Sequence, residues 1–291
     1  MKLRDRLTDA AWERIKDLLP GHPPRGGRWH DHRTVIEAVA WKYRTGAPWR
    51  DLPGRFGPWQ TVYNRFRRWA RDGTWQRLPT RLQSLADAAG EIDWRVSVDS
   101  TTVRAHQDAA GAPTLPEESG EPPDHALGRS RGGLTTKVHL AADGYCRPIA
   151  LLLSAGHRHD SLFFEAVMAS IHIPRTGAGR PRTRPLQVSA DRAYSSRAIR
   201  AYLRRRGVKA VIPERSDQVA NRKHQGAAGG RPPAFDRDDY KLRNTVERCI
   251  GRLKQWRGVA MRTDKLAVHY AAAVQLAAVF IWATGDPRDK P

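Results

Sequence analysis

The segment from Tyr240 to Lys254 carries two different stripes of side chains on one predicted helix. Apolar residues recur every three or four positions, as on an α-helix with one buried face; they are Leu242, Val246, Cys249, Leu253 and Trp256. Polar residues with compatible spacing lie about 100° further round the helix; they are Tyr240, Arg243, Glu247 and Lys254. The pattern predicts a carboxylate held at the edge of a core, where it can meet a ligand.

The charge of the chain indicates the kind of partner. Among 291 residues, 51 Lys and Arg face 30 Asp and Glu, a formal net charge of +21. A solvated surface is one explanation, but this excess goes beyond what solubility needs and attracts polyanions. Nucleic acid is therefore the expected partner. No membrane partner is expected, because no segment reaches the length of a spanning helix.

The compartment is predicted from the N-terminus and the cysteines. The first residues lack the apolar core of a secretory signal. Two cysteines far apart in the chain, Cys146 and Cys249, argue against a disulfide framework and a cysteine zinc site. We therefore expect a cytoplasmic, nucleoid-associated protein.

Residues 1–90 are predicted to form a small all-α domain that binds DNA. Helices are expected over residues 8–19, 31–45, 58–69 and 74–88. The third predicted helix directs apolar residues inward and arginines largely outward; the arginines are Arg65, Arg67, Arg68 and Arg71. A helix, a turn and a basic helix outline a helix-turn-helix reader of DNA. A three- or four-helix bundle with a solvated basic face explains the same spacing.

Residues 91–291 are predicted to form a catalytic domain of the α/β class. Strands are expected over residues 95–100, 135–141, 148–153, 186–191 and 209–213. Helices are expected over residues 160–170, 196–206, 238–256 and 268–283. This order predicts a mixed five-stranded sheet with flanking helices. Two polar segments are rich in Gly and Pro. Residues 108–133 are expected to be poorly ordered, and residues 214–237 are expected to form a mobile loop.

Three acids point to metal-dependent chemistry. Asp99 ends the first predicted strand and Asp191 the fourth, and the ends of such strands line the crevice where ligands bind. Glu247 on the closing helix can reach the same place. Three carboxylates so gathered repel one another unless cations hold them. Oxygen ligands suit Mg²⁺ or Mn²⁺, and two such ions support displacement at phosphorus. We expect Asp99, Asp191 and Glu247 to be catalytic and to bind two ions.

These residues resemble the Asp-Asp-Glu (DDE) triad of bacterial insertion-sequence transposases. The Tyr-x₂-Arg-x₃-Glu-x₆-Lys (YREK) signature of one large group is matched at every spacing by Tyr240, Arg243, Glu247 and Lys254. Further segments resemble the N-terminal domain and core of such proteins; they are Gly46-Ala-Pro-Trp-Arg-Asp-Leu-Pro53, Val98–His106, Gly128–His139 and Ala190–Tyr194.

The resemblance implies a ribonuclease H-like core behind a helix-turn-helix-like domain. It implies an enzyme that binds the terminal inverted repeats of its own element, cleaves there and transfers the strand to target double-stranded DNA, as a homodimer or higher oligomer. Phosphates near the cut would meet Tyr240, Arg243, Lys254 and Arg192. The segment between Pro213 and Glu247 is shorter than in better-studied relatives, which hold a large β-rich insertion there.

Two other functions stay open from the sequence. A ribonuclease H-like nuclease would cleave DNA without joining strands. A basic DNA-binding regulator with an inactive core would bind DNA only. His139 and His106 flank the predicted site in sequence, and a supporting or phosphate-binding role is open for both. His157, His159 and Asp160 are expected to cap the following helix rather than bind a metal.

Overall fold

A computed structural model describes residues 6–21, 29–111 and 120–284. Residues 22–28, between the first two predicted helices, lie outside these ranges, as do residues 112–119 of the segment expected to be poorly ordered.

Four α-helices precede the sheet, as predicted. They are α1 (Asp9–Ile15), α2 (His32–Thr45), α3 (Trp59–Arg71) and α4 (Thr74–Ala88). Side chains cap two of them, because the first N–H groups of a helix lack internal partners. Thr8 Oγ1 accepts from the amide of Ala11 at 3.2 Å, and Asp31 Oδ2 from the amide of Thr34 at 2.7 Å. Gly46 ends α2 in the left-handed conformation, with φ of +74°.

The connection between α2 and α3 differs from that of a helix-turn-helix. It spans residues 46–58 and contains two short 3₁₀ turns, Trp49–Asp51 and Gly54–Phe56, whereas the motif joins its helices by three or four residues. The short connection lies instead between α3 and α4, at residues 72–73. The connection between α2 and α3 is therefore longer than the turn of the predicted motif.

The sheet confirms the predicted mixed α/β arrangement, but within the described residues it has seven strands where five were predicted. Its strands are β1 (Arg95–Ala105), β2 (Gly128–Ser130), β3 (Gly133–Ala142), β4 (Pro148–Ala155), β5 (Gln187–Ala190), β6 (Lys209–Val211) and β7 (Met261–Arg262). The long path runs β4-β3-β1-β5-β6, with β3 antiparallel to both neighbours and β5 and β6 parallel to β1. The short strands β2 and β7, which were not predicted, pair with β3 and β1.

The first strand is longer than predicted, which corrects the position of Asp99. The pairing of β1 with β3 continues to Arg104, opposite Thr135, so Asp99 lies within the strand and faces Leu140. Residues 101–103 are Thr, Thr and Val, whose branched side chains favour a strand. Asp191, in contrast, follows β5 directly, as predicted.

In the part of the chain that the structure describes, eight helices follow β1. They are α5 (Gln107–Ala110), α6 (Phe164–Ser170), α7 (Arg197–Arg205), α8 (Ser216–His224), α9 (Arg237–Lys241), α10 (Asn244–Lys254), α11 (Arg257–Ala260) and α12 (Ala267–Thr284). The single helix predicted over residues 238–256 is divided at Leu242 and Arg243. There the amides of Leu242 and Arg243 donate to carbonyls three residues earlier, Asp239 and Tyr240, at 3.2 and 3.0 Å. This spacing is tighter than in an α-helix.

The predicted loop at residues 214–237 contains regular structure. It holds α8 and a 3₁₀ turn, Gly226–Gly229. Gln218 fixes α8 to the turn after β5, because its amide donates to the carbonyl of Ser195 at 2.5 Å and its oxygen accepts from Ser195 Oγ at 2.8 Å. The prediction of a loop without structure is therefore wrong for this segment.

The described end of the segment predicted to be poorly ordered is also structured. The buried carboxylate of Glu121 accepts from the amides of Ala267 and Val268, at 2.8 and 2.9 Å, and so caps the first turn of α12. A carboxylate is favourable there because it meets unpaired N–H groups and the positive end of the helix dipole.

The apolar helix α12 joins the N-terminal helices to the sheet. It packs against α3, α4 and β4, and its residues Val274, Leu276 and Phe280 are buried. Gln83 of α4 donates to the carbonyls of Pro148 and Ile149, and Trp282 of α12 donates to that of Pro148. Within the described residues, no helix has both the length and the apolar character needed to cross a membrane.

Candidate active site

Strand β1 and helix α10 bring two of the predicted carboxylates together. Asp99 Oδ2 lies 2.8 Å from Arg243 Nη2, and Glu247 Oε1 lies 2.5 Å from Arg243 Nη1. The planar guanidinium thus bonds both acids through two different nitrogens. The side chains of Asp99 and Arg243 are each 19% exposed, whereas that of Glu247 is 50% exposed. The cluster lies at the edge of the core, as the two stripes predicted.

Buried hydroxyl groups hold the helix on the strand. Thr245 Oγ1 donates to Ser97 Oγ at 3.1 Å, and Ser97 Oγ donates to the carbonyl of Leu242 at 3.2 Å. Ser97 and Asp99 are two residues apart on β1 and therefore share a face. The bonds that fix the start of α10 thus lie next to Asp99.

The third carboxylate lies on the adjacent strand. Asp191 follows β5, which runs parallel to β1 with Ala190 opposite Val98. Neighbouring strands are about 4.8 Å apart, so Asp191 is carried to the level of Asp99. Its Oδ1 accepts from the amide of Ala193 at 2.9 Å and caps a 3₁₀ turn, Arg192–Tyr194.

The electrostatics show a surplus of negative charge. Burial raises the pKa of Asp99, and the charges of Asp191 and Glu247 raise it further. The amide of Ser100 and the guanidinium of Arg243 act in the opposite direction but do not reverse the shift. Two carboxylates share one guanidinium and the charge of a third acts on Asp99, so the cluster favours a further positive charge.

The expected gathering of the three acids around metal ions is not formed in the structure. Among residues 6–21, 29–111 and 120–284, no group of three or more His, Cys, Asp and Glu side chains is arranged to hold an ion. The physical reason is the position of Arg243, whose fork lies between Asp99 and Glu247. The cation that these two acids share is the guanidinium.

Two of the other residues predicted to bind phosphate, Tyr240 and Arg192, lie near this cluster. Burial raises the pKa of Tyr240, and its hydroxyl also feels the charges of Arg243, Asp191, Arg192 and Glu247. Its ring packs on Phe235 at 5.3 Å between centroids. Arg192 and Lys254 are exposed. Lys254 lies seven residues after Glu247, hence about two turns along α10.

A second polar cluster behind Asp99 was not predicted. Lys137 Nζ pairs with Asp160 Oδ1 at 2.7 Å and donates to the carbonyl of Arg158 at 2.7 Å. Burial raises the pKa of Tyr194 strongly, and the charges of Asp99, Asp160 and Asp191 add to this effect. Asp160 thus forms an ion pair, whereas the sequence favoured a helix-capping role for it. Its only sequence signal is its place directly after His157-Arg-His159.

His139 belongs to the same side of the sheet. Its side chain is 1% exposed, its Nε2 lies 2.8 Å from Ser154 Oγ, and its ring stacks on Phe163 at 4.5 Å. Burial lowers the pKa of His139 from its ordinary value of 6.5 to about 4. The ring is therefore neutral at physiological pH.

One of the four arginines predicted on the surface of the N-terminal domain is buried. Arg65 is 6% exposed, and its guanidinium lies over the ring of Trp29 at 3.8 Å, with Nη1 3.0 Å from His32 Nδ1. The position lies four residues before Trp69 and so shares its buried face. Arg68 and Arg71 are exposed, and Arg67 is half-buried with its guanidinium 5.5 Å from the ring of Tyr63.

Two protein-family models match the chain. The model described as "Transposase DDE domain" matches residues 91–282. The model described as "Putative transposase of IS4/5 family" matches residues 7–79.

Individual relatives carry related names. A protein of Sinorhizobium fredii, "Uncharacterized protein y4sN", is 41% identical over 37% of this chain and 83% of its own length. The "Putative transposase for insertion sequence element IS402" of Burkholderia cepacia is 30% identical over 54% of this chain and 66% of its own length. The "Putative transposase for insertion sequence element IS6501" of Brucella ovis is 27% identical over 51% of this chain and 98% of its own.

A solved structure is similar only distantly. The chain of a pre-cleavage Mos1 transpososome is 12% identical, with a TM-score of 0.22 over 96% of this chain and 86% of that one. A TM-score this low is not evidence of a shared fold.

Proposed function

The chain belongs to the family of transposase DDE domains, and on that premise we propose that it cleaves the ends of its own insertion sequence and joins them to target DNA. The proposal assigns the catalytic role to Asp99, Asp191 and Glu247. The observation that carries it is the shared guanidinium of Arg243, which shows that Asp99 and Glu247 meet around one positive charge at the level of Asp191.

The donor set fits divalent metal ions. Three carboxylates supply hard oxygen ligands, which Mg²⁺ and Mn²⁺ prefer, and the guanidinium already occupies the place of a cation between two of them. We therefore propose that Asp99, Asp191 and Glu247 hold two such ions. When bound, the ions would stabilise the attacking and leaving oxygens of a displacement at phosphorus.

Arg243 then has a double role in the proposal. Its guanidinium and a divalent ion compete for the same two carboxylates, since both are cations and the acids are common to both. An Arg243 side chain released from the acids carries a planar fork that matches a phosphate group. Tyr240, Lys254 and Arg192 lie around the same cluster and complete the proposed phosphate contacts.

The proposal also assigns a role to each of the two predicted domains. We propose a catalytic domain over residues 91–291 with a ribonuclease H-like core, supported by the strand path β4-β3-β1-β5-β6 with β3 reversed. We propose a DNA-binding domain over residues 1–90, supported by the exposed Arg68 and Arg71 of α3. The match to the YREK signature supports placement in that group, and assembly as a dimer or higher oligomer on double-stranded DNA belongs to the same proposal.

The test uses the full chain and a duplex with one of the inverted repeats that flank its coding region. Parent protein with Mg²⁺ or Mn²⁺ should nick the duplex and, with target DNA added, join the end to it. Asp99→Asn, Asp191→Asn and Glu247→Gln should each abolish cleavage and keep binding. Glu165→Gln, an exposed acid on α6, is the matched control.

The outcomes separate the proposed function from the alternatives. Cleavage without joining indicates a nuclease of the same fold. Binding without cleavage by the parent indicates a DNA-binding regulator. If all three carboxylate variants cleave as well as the parent, the assignment of the site is wrong.

A further inference from the structure

A groove separate from the carboxylates lies between the N-terminal helices and the segment after α10. Its volume is about 1010 Å³. The α3 side contributes Tyr63, Arg67 and Arg71, and the other side contributes Arg257 and Lys265. We call it the basic groove, and we define it by four of the cations that line it, Arg67, Arg71, Arg257 and Lys265.

The two acids that line the groove, Asp264 and Asp108, bond other side chains than Arg67, Arg257 and Lys265. Asp264 Oδ1 accepts from the hydroxyl of Tyr43 at 2.8 Å, and Asp108 lies 3.1 Å from the ring nitrogen of His106. In the part of the chain that the structure describes, Arg67, Arg257 and Lys265 form no ion pair, and the buried Nε of Arg67 has no hydrogen-bond partner. Like charges gathered in a concave surface repel one another, so the groove favours an anionic ligand.

The packing around the groove keeps its two sides together. A Cβ built on Gly46 would lie 3.1 Å from the Cβ of Arg257, so the turn after α2 contacts the start of α11 closely. Tyr43 of α2 bonds Asp264 on the other side. Buried Lys42 of α2 lies over the Tyr43 ring at 4.1 Å and donates to Thr263 Oγ1 at 3.4 Å. The cations are therefore mounted on one packed unit.

The groove lies on a surface path from the active site. Glu247, Lys254 and Arg257 are all exposed, and α10 places Lys254 about 10 Å along its axis from Glu247 before the helix ends ahead of Arg257. Asp99 and Arg104 are five residues apart on β1, so about 17 Å of strand separates them. Arg104 pairs with Met261, which lines the groove. The length along β1 is close to five base pairs, at about 3.4 Å for each.

We propose that the basic groove is a second binding site for the DNA backbone, which holds the duplex about five base pairs from the cleaved phosphate. Lys254 lies between the two sites and contacts the intervening backbone. The proposal rests on the proposed function and adds Arg257 and Lys265 to the DNA-binding surface. Because both residues belong to the catalytic segment, the duplex is held jointly by that segment and α3.

The experiment measures binding by fluorescence anisotropy, with no divalent ion so that the DNA stays intact. Duplexes share one inverted-repeat end and extend to different lengths on either side of the cleavage position. Parent protein should gain affinity when one side grows beyond about five base pairs. The double variant Arg257→Gln/Lys265→Gln should lose that gain.

Salt dependence gives a second, quantitative readout. Each phosphate contact contributes about 0.9 to the slope of log affinity against log salt, so loss of two contacts lowers the slope by about 1.8. Between about 50 and 200 mM salt, affinity should therefore fall about twelvefold less for the variant than for the parent. The control Arg204→Gln/Arg205→Gln removes the same charge from the exposed end of α7.

Each outcome decides one question. A variant that keeps both the length-dependent gain and the salt slope overturns the groove proposal, as does a control that loses them equally. An unchanged melting temperature of the variant shows that its fold is intact, and Lys265→Glu alone, an exposed substitution, repeats the test if the double variant unfolds. A parent that neither binds nor cleaves the end duplex contradicts the proposed function instead.

Discussion

Removal of the Arg243 guanidinium should weaken the fold without metal ions and strengthen its response to them. In Arg243→Gln, Asp99 and Glu247 lose the cation that they share. A hydrogen bond to a charged group is worth about 1.5–3 kcal/mol, and the bond to the largely buried Asp99 belongs in this range. The bond to the half-exposed Glu247 adds at most about 1 kcal/mol. We expect a loss of about 2–3 kcal/mol in chelator.

The response to Mg²⁺ follows from competition for the same acids. If the ion must displace the guanidinium, its apparent affinity falls by the free energy of that contact, which is roughly 30- to 140-fold. With about 10 mM Mg²⁺ and a dissociation constant of about 0.1 mM in the variant, the variant is stabilised by about 2.7 kcal/mol. The same concentration stabilises the parent by less than about 1 kcal/mol.

Thermal unfolding in chelator and in Mg²⁺ measures both effects. A loss of about 2–3 kcal/mol lowers the melting temperature by about 3–5 °C for a chain of this size. Arg237→Gln removes an exposed arginine of α9 and is the matched control, which should change neither value. If Arg243→Gln gains no more from Mg²⁺ than the parent does, the ion does not compete with the guanidinium, and the metal assignment loses its main support.

Three further predictions concern the surroundings of the site. The pKa of His139 is lowered from 6.5 to about 4, so the unfolded chain binds more protons in that range and stability falls as pH drops from 6.5 towards 4. Urea unfolding should show that the free energy of unfolding falls by up to about 3 kcal/mol over this pH range, and that it falls less in His139→Gln. An equal pH dependence in the two proteins contradicts this. Glu121→Ala removes the cap of α12 and should cost about 1–2 kcal/mol by the same assay, whereas a neutral result means that the two amides find other partners. Gln218→Ala should release α8 from Ser195 and speed amide exchange in residues 216–224, with exchange in α4 as the unaffected reference.

Periodicity and the order of the predicted elements along the chain predicted the mixed sheet and the approach of the Glu247 helix to Asp99. Both follow from local patterns, since a strand alternates every two residues and a buried helix face repeats every three or four. The position of Asp99 within β1 was not predicted, because the alternation of apolar and polar residues stops after Val98. Pairing with β3 extends the strand to Arg104.

Other features depend on contacts between distant segments and leave no local signal. Arg65 was expected on the surface because it is charged, but stacking on Trp29 makes its burial favourable. The ion pair of Lys137 with Asp160 requires β3 and the turn before α6 to meet. Neither residue type nor spacing indicates such a partner.

The break between α9 and α10 explains why Arg243 reaches Asp99 as well as Glu247. In an uninterrupted helix, residues four apart share a face, so Arg243 would pair with Glu247 whether or not a strand were near. Here Ser97 Oγ bonds the carbonyl of Leu242 at 3.2 Å, and the amides of Leu242 and Arg243 turn to carbonyls three residues earlier. The hydroxyl that bonds the chain at this break therefore comes from the same face of β1 that carries Asp99. Because one strand supplies both the carboxylate and the hydroxyl that locates its cation, the position of the guanidinium is set by the sheet as well as by the helix.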